Sequence, residues 1–325
     1  MTRLGTRAQH DSLPLMTFSY ASRRDFVRAL IGGAVGCSFT YSALGQATPP
    51  PIKATKLSEN LVLISGDGGN MALILDADGL MLIDSGFPER AAELQKAITE
   101  VDSHQVRTLF NTHWHFDHVG LNETLGKSGT RIIAHENTKK WMSQKVTLEA
   151  MNRTFEPVKP EGRPVETFTK GGKMTFGAEK IEYSSVPPAH TDGDAFLIFP
   201  GPNVLHTGDL FFNGFYPVID YSTNGWIGGM AAAKASMLKA VDAKTRIIPG
   251  HGPLATREDL KMAHAMLQTL TGRLEAMAKE GRSVDEVVAA TPTKEFDDQY
   301  GKGIFKPDQW VRIAYTSVLR HQKSA

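Results

Sequence analysis

The stretch Asn111-Thr112-His113-Trp114-His115-Phe116-Asp117-His118 places four side chains able to bind a metal within six residues. His113 and His115 alternate with Trp114, so an extended backbone points both imidazoles to one side. Asp117 and His118 can face the same cavity if the chain turns after Phe116. Neutral imidazoles with a carboxylate suit a borderline divalent cation such as zinc, and a donor set of nitrogen and oxygen without thiolate leaves room for water.

Three single residues downstream extend the pattern: His190, Asp209 and His251, in Pro188-Ala189-His190-Thr191-Asp192-Gly193-Asp194, His206-Thr207-Gly208-Asp209 and Pro249-Gly250-His251-Gly252. Each follows a predicted strand, where loops on a rigid scaffold can aim side chains at one point. The other six histidines, His10, His104, His135, His206, His264 and His321, read as surface or packing residues, with His206 the best placed to support the site. Asn213, Tyr216 and Tyr221 could line a substrate mouth or simply pack. Gly66 to Gly69 could tip a flap over the metals or form a tight turn.

The elements that must position these residues are short strands. Leu61 to Ile64, the pair Met71 to Leu75 and Leu80 to Ile83, and Val106 to Phe110 precede the His-rich motif, with a helix over Pro88 to Val101. After the motif come a helix over 119 to 126, a strand from Thr130 to Ala134, a helix from Glu136 to about Met151 and a loop over 156 to 164. A second block has strands over Lys173 to Phe176, Lys180 to Val186, Ala195 to Phe199, Val204 to His206 and Arg246 to Ile248. A helix spans Trp226 to Val241 between the last two. Two sheets covered by helices and meeting face to face fit this order. Leu260, Ala263, Leu267, Leu270, Leu274 and Met277 then form a helical stripe. Ser283 to Glu286 is a capping box, and Pro307 to Arg320 closes the chain as an amphipathic helix.

The motifs together resemble the metallo-β-lactamase superfamily. Asp84 matches its first acidic motif, His113 to His118 its HxHxDH signature, and His190, Asp209 and His251 the remaining three, over roughly Ile52 to Leu254. The resemblance implies an α/β fold, a four-layer αββα sandwich with a two-metal site at the open edge between the sheets, here with a C-terminal helical extension. It implies that His113, His115 and His190 bind the first metal, that Asp117, His118 and His251 bind the second, and that Asp209 bridges them. Asp84 would orient the ligand loop, and Asp117 would also hold the attacking hydroxide. Two Zn²⁺ per chain and hydrolysis of a lactam, lactone, ester or thioester follow from that resemblance, with a small molecule as substrate. The ligand set without cysteine looks like one β-lactamase subclass, whereas a bridging Asp209 looks more like glyoxalase II or the lactonases. No basic cluster is present to grip glutathione, and His115 stands where flavin-linked di-iron relatives carry Glu. The alternatives are an iron-dependent oxygenase of the persulfide dioxygenase type and a non-catalytic metal-binding protein.

Composition sets the rest. The 325 residues are 41% hydrophobic and 22% charged, a globular balance. With 36 basic and 35 acidic residues, charge makes no case for nucleic acid. Residues 1–47 read as a targeting segment: Ser22-Arg23-Arg24-Asp25-Phe26-Val27 resembles the twin-arginine export signal, ahead of an apolar run too short and Gly-rich to span a bilayer. Periplasmic export, with Met16 as an alternative start and lipid attachment at Cys37 as the alternative to cleavage near Ala47, is the expectation. Residues 48–255 form the expected catalytic domain and 256–325 the helical extension packed on it. Cys37 is the single cysteine, so its removal would leave neither disulfides nor thiolate ligands. Composition leaves the oligomeric state open.

Overall fold

The computed structural model describes residues 49–66 and 68–324. Arg23, Arg24, Cys37, Met16 and the expected cleavage stretch lie outside those residues.

The first sheet begins with β1 (Lys53–Lys56), β2 (Leu61–Ser65), β3 (Met71–Asp76) and β4 (Gly79–Ile83) as antiparallel neighbours. It continues in parallel through β5 (Val106–Phe110) and β6 (Arg131–His135). Its last strand is β9 (Glu166–Phe168), reached after a separate hairpin of β7 (Val146–Leu148) and β8 (Arg153–Phe155). The second sheet comprises β10 (Gly171–Phe176), β11 (Glu179–Ser185), β12 (Ala195–Phe199), β13 (Val204–His206) and β14 (Arg246–Ile248) in chain order.

Alternate residues of β3 and β4 face two different cores, which is why residues 71–75 and 80–83 are all apolar. Met71, Leu73, Leu80 and Leu82 join one core with Leu94 and Ile98 of α1 (Ala91–Val101). Ala72, Ile74, Met81 and Ile83 join another, with Leu197, Phe199 and Ile248 of the facing sheet. The outer face of the second sheet packs Leu205 and Ile247 against α4 (Ile227–Ala240), α5 (Arg257–Lys279) and α8 (Pro307–Ser324), through Met230, Leu267 and Trp310. Helix, sheet, sheet and helix therefore stack in the expected αββα order. Capping boxes at Thr256 with Asp259, and at Ser283 with Glu286, open α5 and α6 (Val284–Ala289).

Several expectations need correction. The helix from Glu136 stops at Met142 as α3 (Glu136–Met142), and Val146 begins the β7–β8 hairpin instead. Val146 and Thr147 are β-branched, and Asn152, with a φ of 48°, supplies the left-handed turn residue that the hairpin needs. The helix expected over 119 to 126 starts later, as α2 (Asn122–Lys127). Pro160–Gly162 forms a 3-10 turn inside the segment read as loop. Strand β1 escaped sequence reading because Lys53-Ala54-Thr55-Lys56 lacks an apolar alternation; edge lysines discourage pairing with other chains.

Candidate metal centre

Each candidate donor leaves the end of a strand on the same side of the sandwich. Phe110 ends β5 and delivers the His-rich loop, while His190 follows β11, Asp209 follows β13 and His251 follows β14. His113, His115, His190 and Asp209 form one buried group, and Asp117, His118 and His251 a second, each with donor atoms within 4.8 Å of one another. All seven residues expected from the sequence are thus brought together. His113 and His115 share a group as alternation predicts, although their backbone is loop rather than strand.

The imidazoles are held so that one nitrogen faces outward to a partner and the other faces in. His190 Nδ1 lies 2.8 Å from the Val218 carbonyl, to which it donates. His118 Nδ1 donates to Asp84 Oδ2 at 2.8 Å, and His115 Nε2 to Asp220 Oδ2 at 3.1 Å. Thr112 gives its hydroxyl proton to Asp84 Oδ2 at 2.7 Å, so its oxygen accepts from His113 Nδ1 at 3.0 Å. With the rings neutral, as metal binding requires, these partners assign the tautomers and leave His113 Nε2, His115 Nδ1, His118 Nε2 and His190 Nε2 as inward lone pairs.

Those lone pairs have little to satisfy them within the protein. His115 Nδ1 and His190 Nε2 stand 2.8 Å apart, a repulsive approach unless a cation or proton lies between them. His113 Nε2 and Asp209 Oδ1 are buried with no hydrogen-bond partner among the described residues. Asp209 Oδ1 is 3.1 Å from His118 Nε2 and 3.3 Å from His251 Nε2, but neither approach has hydrogen-bond geometry. Asp209 Oδ2 is 3.4 Å from His190 Nε2 and 3.7 Å from His113 Nε2, so this carboxylate spans both groups. Buried atoms that converge without pairing are what a cation site requires. The residues fit a metal.

Charge balance supports the same reading. Burial holds His113 well below the usual histidine range and pushes His190 down to about 4. Burial is the largest single influence and opposes charge on His118 and His251, but the carboxylates of Asp209 and Asp117, with Asp84 at His118, together outweigh it. His118 is raised well above its ordinary value and His251 to about 9. Without a cation, the carboxylates recruit protons in its place.

Supporting residues lock the loops. Asp84, buried at a φ of 60°, also accepts from the Thr112 amide at 2.7 Å, so one carboxylate orients His118 directly and His113 through Thr112. Asn111 donates to the His118 carbonyl at 3.2 Å and accepts from Asn122 at 2.8 Å. Asp194 accepts from the His190 and Thr191 amides at 2.8 and 2.9 Å. His206 sits where its single proton reaches the Asn70 carbonyl at 3.2 Å, while Asn70 donates to the Pro249 and Gly252 carbonyls at 2.9 Å each. That pair joins the loops carrying Asp209 and His251, the supporting role expected of His206. Gly69 is wall rather than flap: a Cβ there would stand 2.3 Å from His118 Cε1. Gly250 makes a similar close approach, since its Cβ would lie 2.0 Å from Asp209 Oδ1.

Three candidates for the substrate mouth pack elsewhere. Tyr216 stacks on Trp310 at 4.4 Å, Tyr221 lies under Arg320 at 4.6 Å, and Asn213 donates to the Pro253 carbonyl at 3.1 Å. Asp220 and Asp194 were missed by sequence reasoning. Asp194 was readable as a polar residue four positions after a candidate ligand, whereas nothing in sequence links Asp220 to His115, 105 residues away.

The family description that matches this chain is the metallo-beta-lactamase superfamily, over residues 64–251, more than half of its length. The chain belongs to that superfamily. A curated relative is the 2,4-dinitroanisole O-demethylase subunit alpha of Nocardioides sp. (strain JS1661), 24% identical over 78% of this chain and 74% of the relative. Hydroxyacylglutathione hydrolases are similar over shorter spans. That of Nostoc punctiforme is 27% identical over 49% of this chain and 51% of its own length. That of Brucella ovis is 34% identical over 32% and 33%. Among solved structures, DIM-1 metallo-beta-lactamase superposes with a TM-score of 0.55 at 17% identity, covering 68% of this chain and 99% of that one. The metallo-beta-lactamase from Pontibacter korlensis gives 0.55 at 20% identity, over 67% and 99%. At such identities the structural likeness speaks for the fold alone.

Proposed function

We propose that this protein is a zinc-dependent hydrolase that holds two divalent cations and cleaves a lactam, lactone, ester or thioester. The observation that carries the proposal is the convergence of two buried donor groups, with His113 Nε2 and Asp209 Oδ1 at their centre lacking any hydrogen-bond partner among the described residues. His113, His115 and His190 would hold one cation and Asp117, His118 and His251 the other, with Asp209 shared. Nitrogen and oxygen donors without thiolate suit zinc. When bound, a pair of such cations acidifies water at neutral pH and polarises a carbonyl.

The chain's own residues then orient and exclude. Asp117 faces the cavity, where its carboxylate can accept a hydrogen bond from the attacking water and set its direction. Asp84, Thr112, Val218 and Asp220 keep the imidazole lone pairs aimed inward. Buried Phe212, stacked on His251 at 5.0 Å, walls off that side of the site.

The proposal includes export to the periplasm on a twin-arginine signal within residues 1–47, and a small-molecule substrate rather than nucleic acid. Near-neutral net charge supports the latter, and no described helix is long and apolar enough to cross a membrane. A reporter fused to residues 1–47 tests export: retention in the cytoplasm would refute it.

The decisive experiment is metal analysis with a hydrolysis screen on the metal-loaded protein, using His115→Ala as control. The screen should include 2,4-dinitroanisole, because the Nocardioides relative's name adds an aryl ether to the bonds worth testing. Two zinc per chain and turnover lost in His115→Ala are expected. Iron with oxygen uptake on a persulfide would move the assignment to an oxygenase. Full metal loading without turnover of any substrate class would leave a metal-binding protein.

A further inference from the structure

A small cleft opens onto the donor groups, with His115, Asp117, Asp209 and His251 on its floor. Its remaining lining is Phe116, Leu148, Met151, Val218 and Ile304, all apolar. They come from four separate parts of the chain. Phe116 belongs to the His-rich loop and Val218 to the segment whose carbonyl orients His190. Leu148 and Met151 belong to the β7–β8 hairpin and its connecting turn. Ile304 comes from the link between α7 (Asp297–Tyr300) and α8, so the C-terminal helical region reaches into the mouth of the site.

This wall is built firmly. Phe116 stacks on Phe155 at 4.8 Å and 17°, with the Arg153 guanidinium over the Phe116 ring at 4.4 Å; neither Phe155 nor Arg153 lines the cavity. The hairpin turn is tied to the rest of the protein where the Glu149 amide donates to Ser222 Oγ at 2.9 Å. The Glu149 carboxylate also takes two bonds from Arg320 of α8, at 3.0 and 2.7 Å. Gly303 lies so close to Phe215 that a Cβ would stand 2.6 Å from its Cβ, which sets the position of Ile304 beside it.

Apart from the donors on the floor, no polar or charged side chain among the described residues lines this cavity. A charged substrate group placed against the wall would lose its water without a partner in exchange. An apolar group would be favoured by the area it hides. We propose that the site selects a compact, uncharged, apolar group beside the scissile carbonyl, and that Leu148, Met151 and Ile304 set this selectivity. The inference rests on the hydrolase reading above and names the substrate class for it.

The test uses metal-loaded enzyme with p-nitrophenyl acetate, butyrate and hemisuccinate. Each added methylene should raise kcat/KM about fourfold until the cavity is filled. The hemisuccinate, similar in length to butyrate but anionic, should be poorer by roughly tenfold or more. Ile304→Lys should invert that preference by favouring the hemisuccinate, and Met151→Lys, in a different segment, guards against a folding defect in the first variant. A hydrolysis-independent arm follows nitrobenzene binding to the metal-loaded protein by ligand-observed NMR, expected in the parent and weakened in both variants at unchanged metal content. Equal turnover of butyrate and hemisuccinate, or variants that leave the ratio unmoved, would overturn the selectivity proposal while hydrolysis stands. Nitrobenzene binding that responds to the variants, without turnover of any lactam, lactone, ester or thioester, would uphold the apolar cavity and defeat the hydrolase reading instead.

Discussion

Replacing Asp84 with Asn tests whether one carboxylate organises both halves of the centre. Asp84 accepts three bonds: from the Thr112 amide on Oδ1, and from the Thr112 hydroxyl and His118 Nδ1 on Oδ2. Asn preserves size and tolerates the left-handed backbone at this position, where φ is 60°. It exchanges one acceptor for a donor, and neither amide orientation is neutral. With nitrogen at the Oδ2 position it faces His118 Nδ1–H; with nitrogen at the Oδ1 position it faces the Thr112 N–H. Because Asp84 is fully buried, water cannot repair the mismatch. Leaving such a donor unpaired costs about 1–3 kcal/mol.

Part of that cost falls on folding and part on the metal, because rotating His118 or Thr112 spoils an aimed lone pair. Loss of a supporting partner typically weakens metal binding ten- to hundredfold, about 1.4–2.7 kcal/mol. Chelator competition should show this weakening for Asp84→Asn, at the His118 site and, through Thr112, at the His113 site. Thermal unfolding of the metal-free variant should show a drop of a few degrees per kcal/mol. Unchanged affinity at both sites in a folded variant would refute the positioning role.

Asp220→Ala should weaken the first group selectively, since Asp220 orients His115 at 3.1 Å and contacts no ligand of the second group. Chelator competition should find the affinity lower by about tenfold or more there, with little change at the other site. Metal binding should release protons at pH 7, because His118 and His251 are both raised without a cation and must be neutral as ligands, and water acidified by the cations would add to the release. Calorimetry in buffers of different ionisation enthalpy measures this, and release should shrink as pH rises past about 9, the value to which His251 is raised. Lys234 is buried, donates to the Leu210 carbonyl at 2.5 Å, and is pushed by burial from 10.5 down to about 7. Between those values the unfolded chain binds the extra proton, so stability rises with pH across that window. Lys234→Met should therefore stabilise the fold below pH 7 by roughly 3 kcal/mol, after allowing for the lost hydrogen bond, and by less near pH 10. Urea unfolding at both pH values decides it; a variant weaker at pH 6 would sink the argument.

The metal centre was legible in sequence because its chemistry is carried by residue type and short spacing. His113, His115, Asp117 and His118 sit on one loop, and His190, Asp209 and His251 each follow a segment that reads as a strand. Strand periodicity likewise announced the two buried hairpin strands and the order of the sheets, since apolar burial on both faces leaves a local mark. Tertiary structure alone decided the rest. Asp220 meets His115 across 105 residues, and Ile304 reaches the cavity from the C-terminal region through packing against Phe215. The β7–β8 hairpin replaced an expected helix because its stability lies in pairing and in the Phe116–Phe155 stack, not in local periodicity. Donor identity is local chemistry and can be read along the chain. Which nitrogen faces inward, and what lines the mouth, depend on contacts between segments that are distant in sequence.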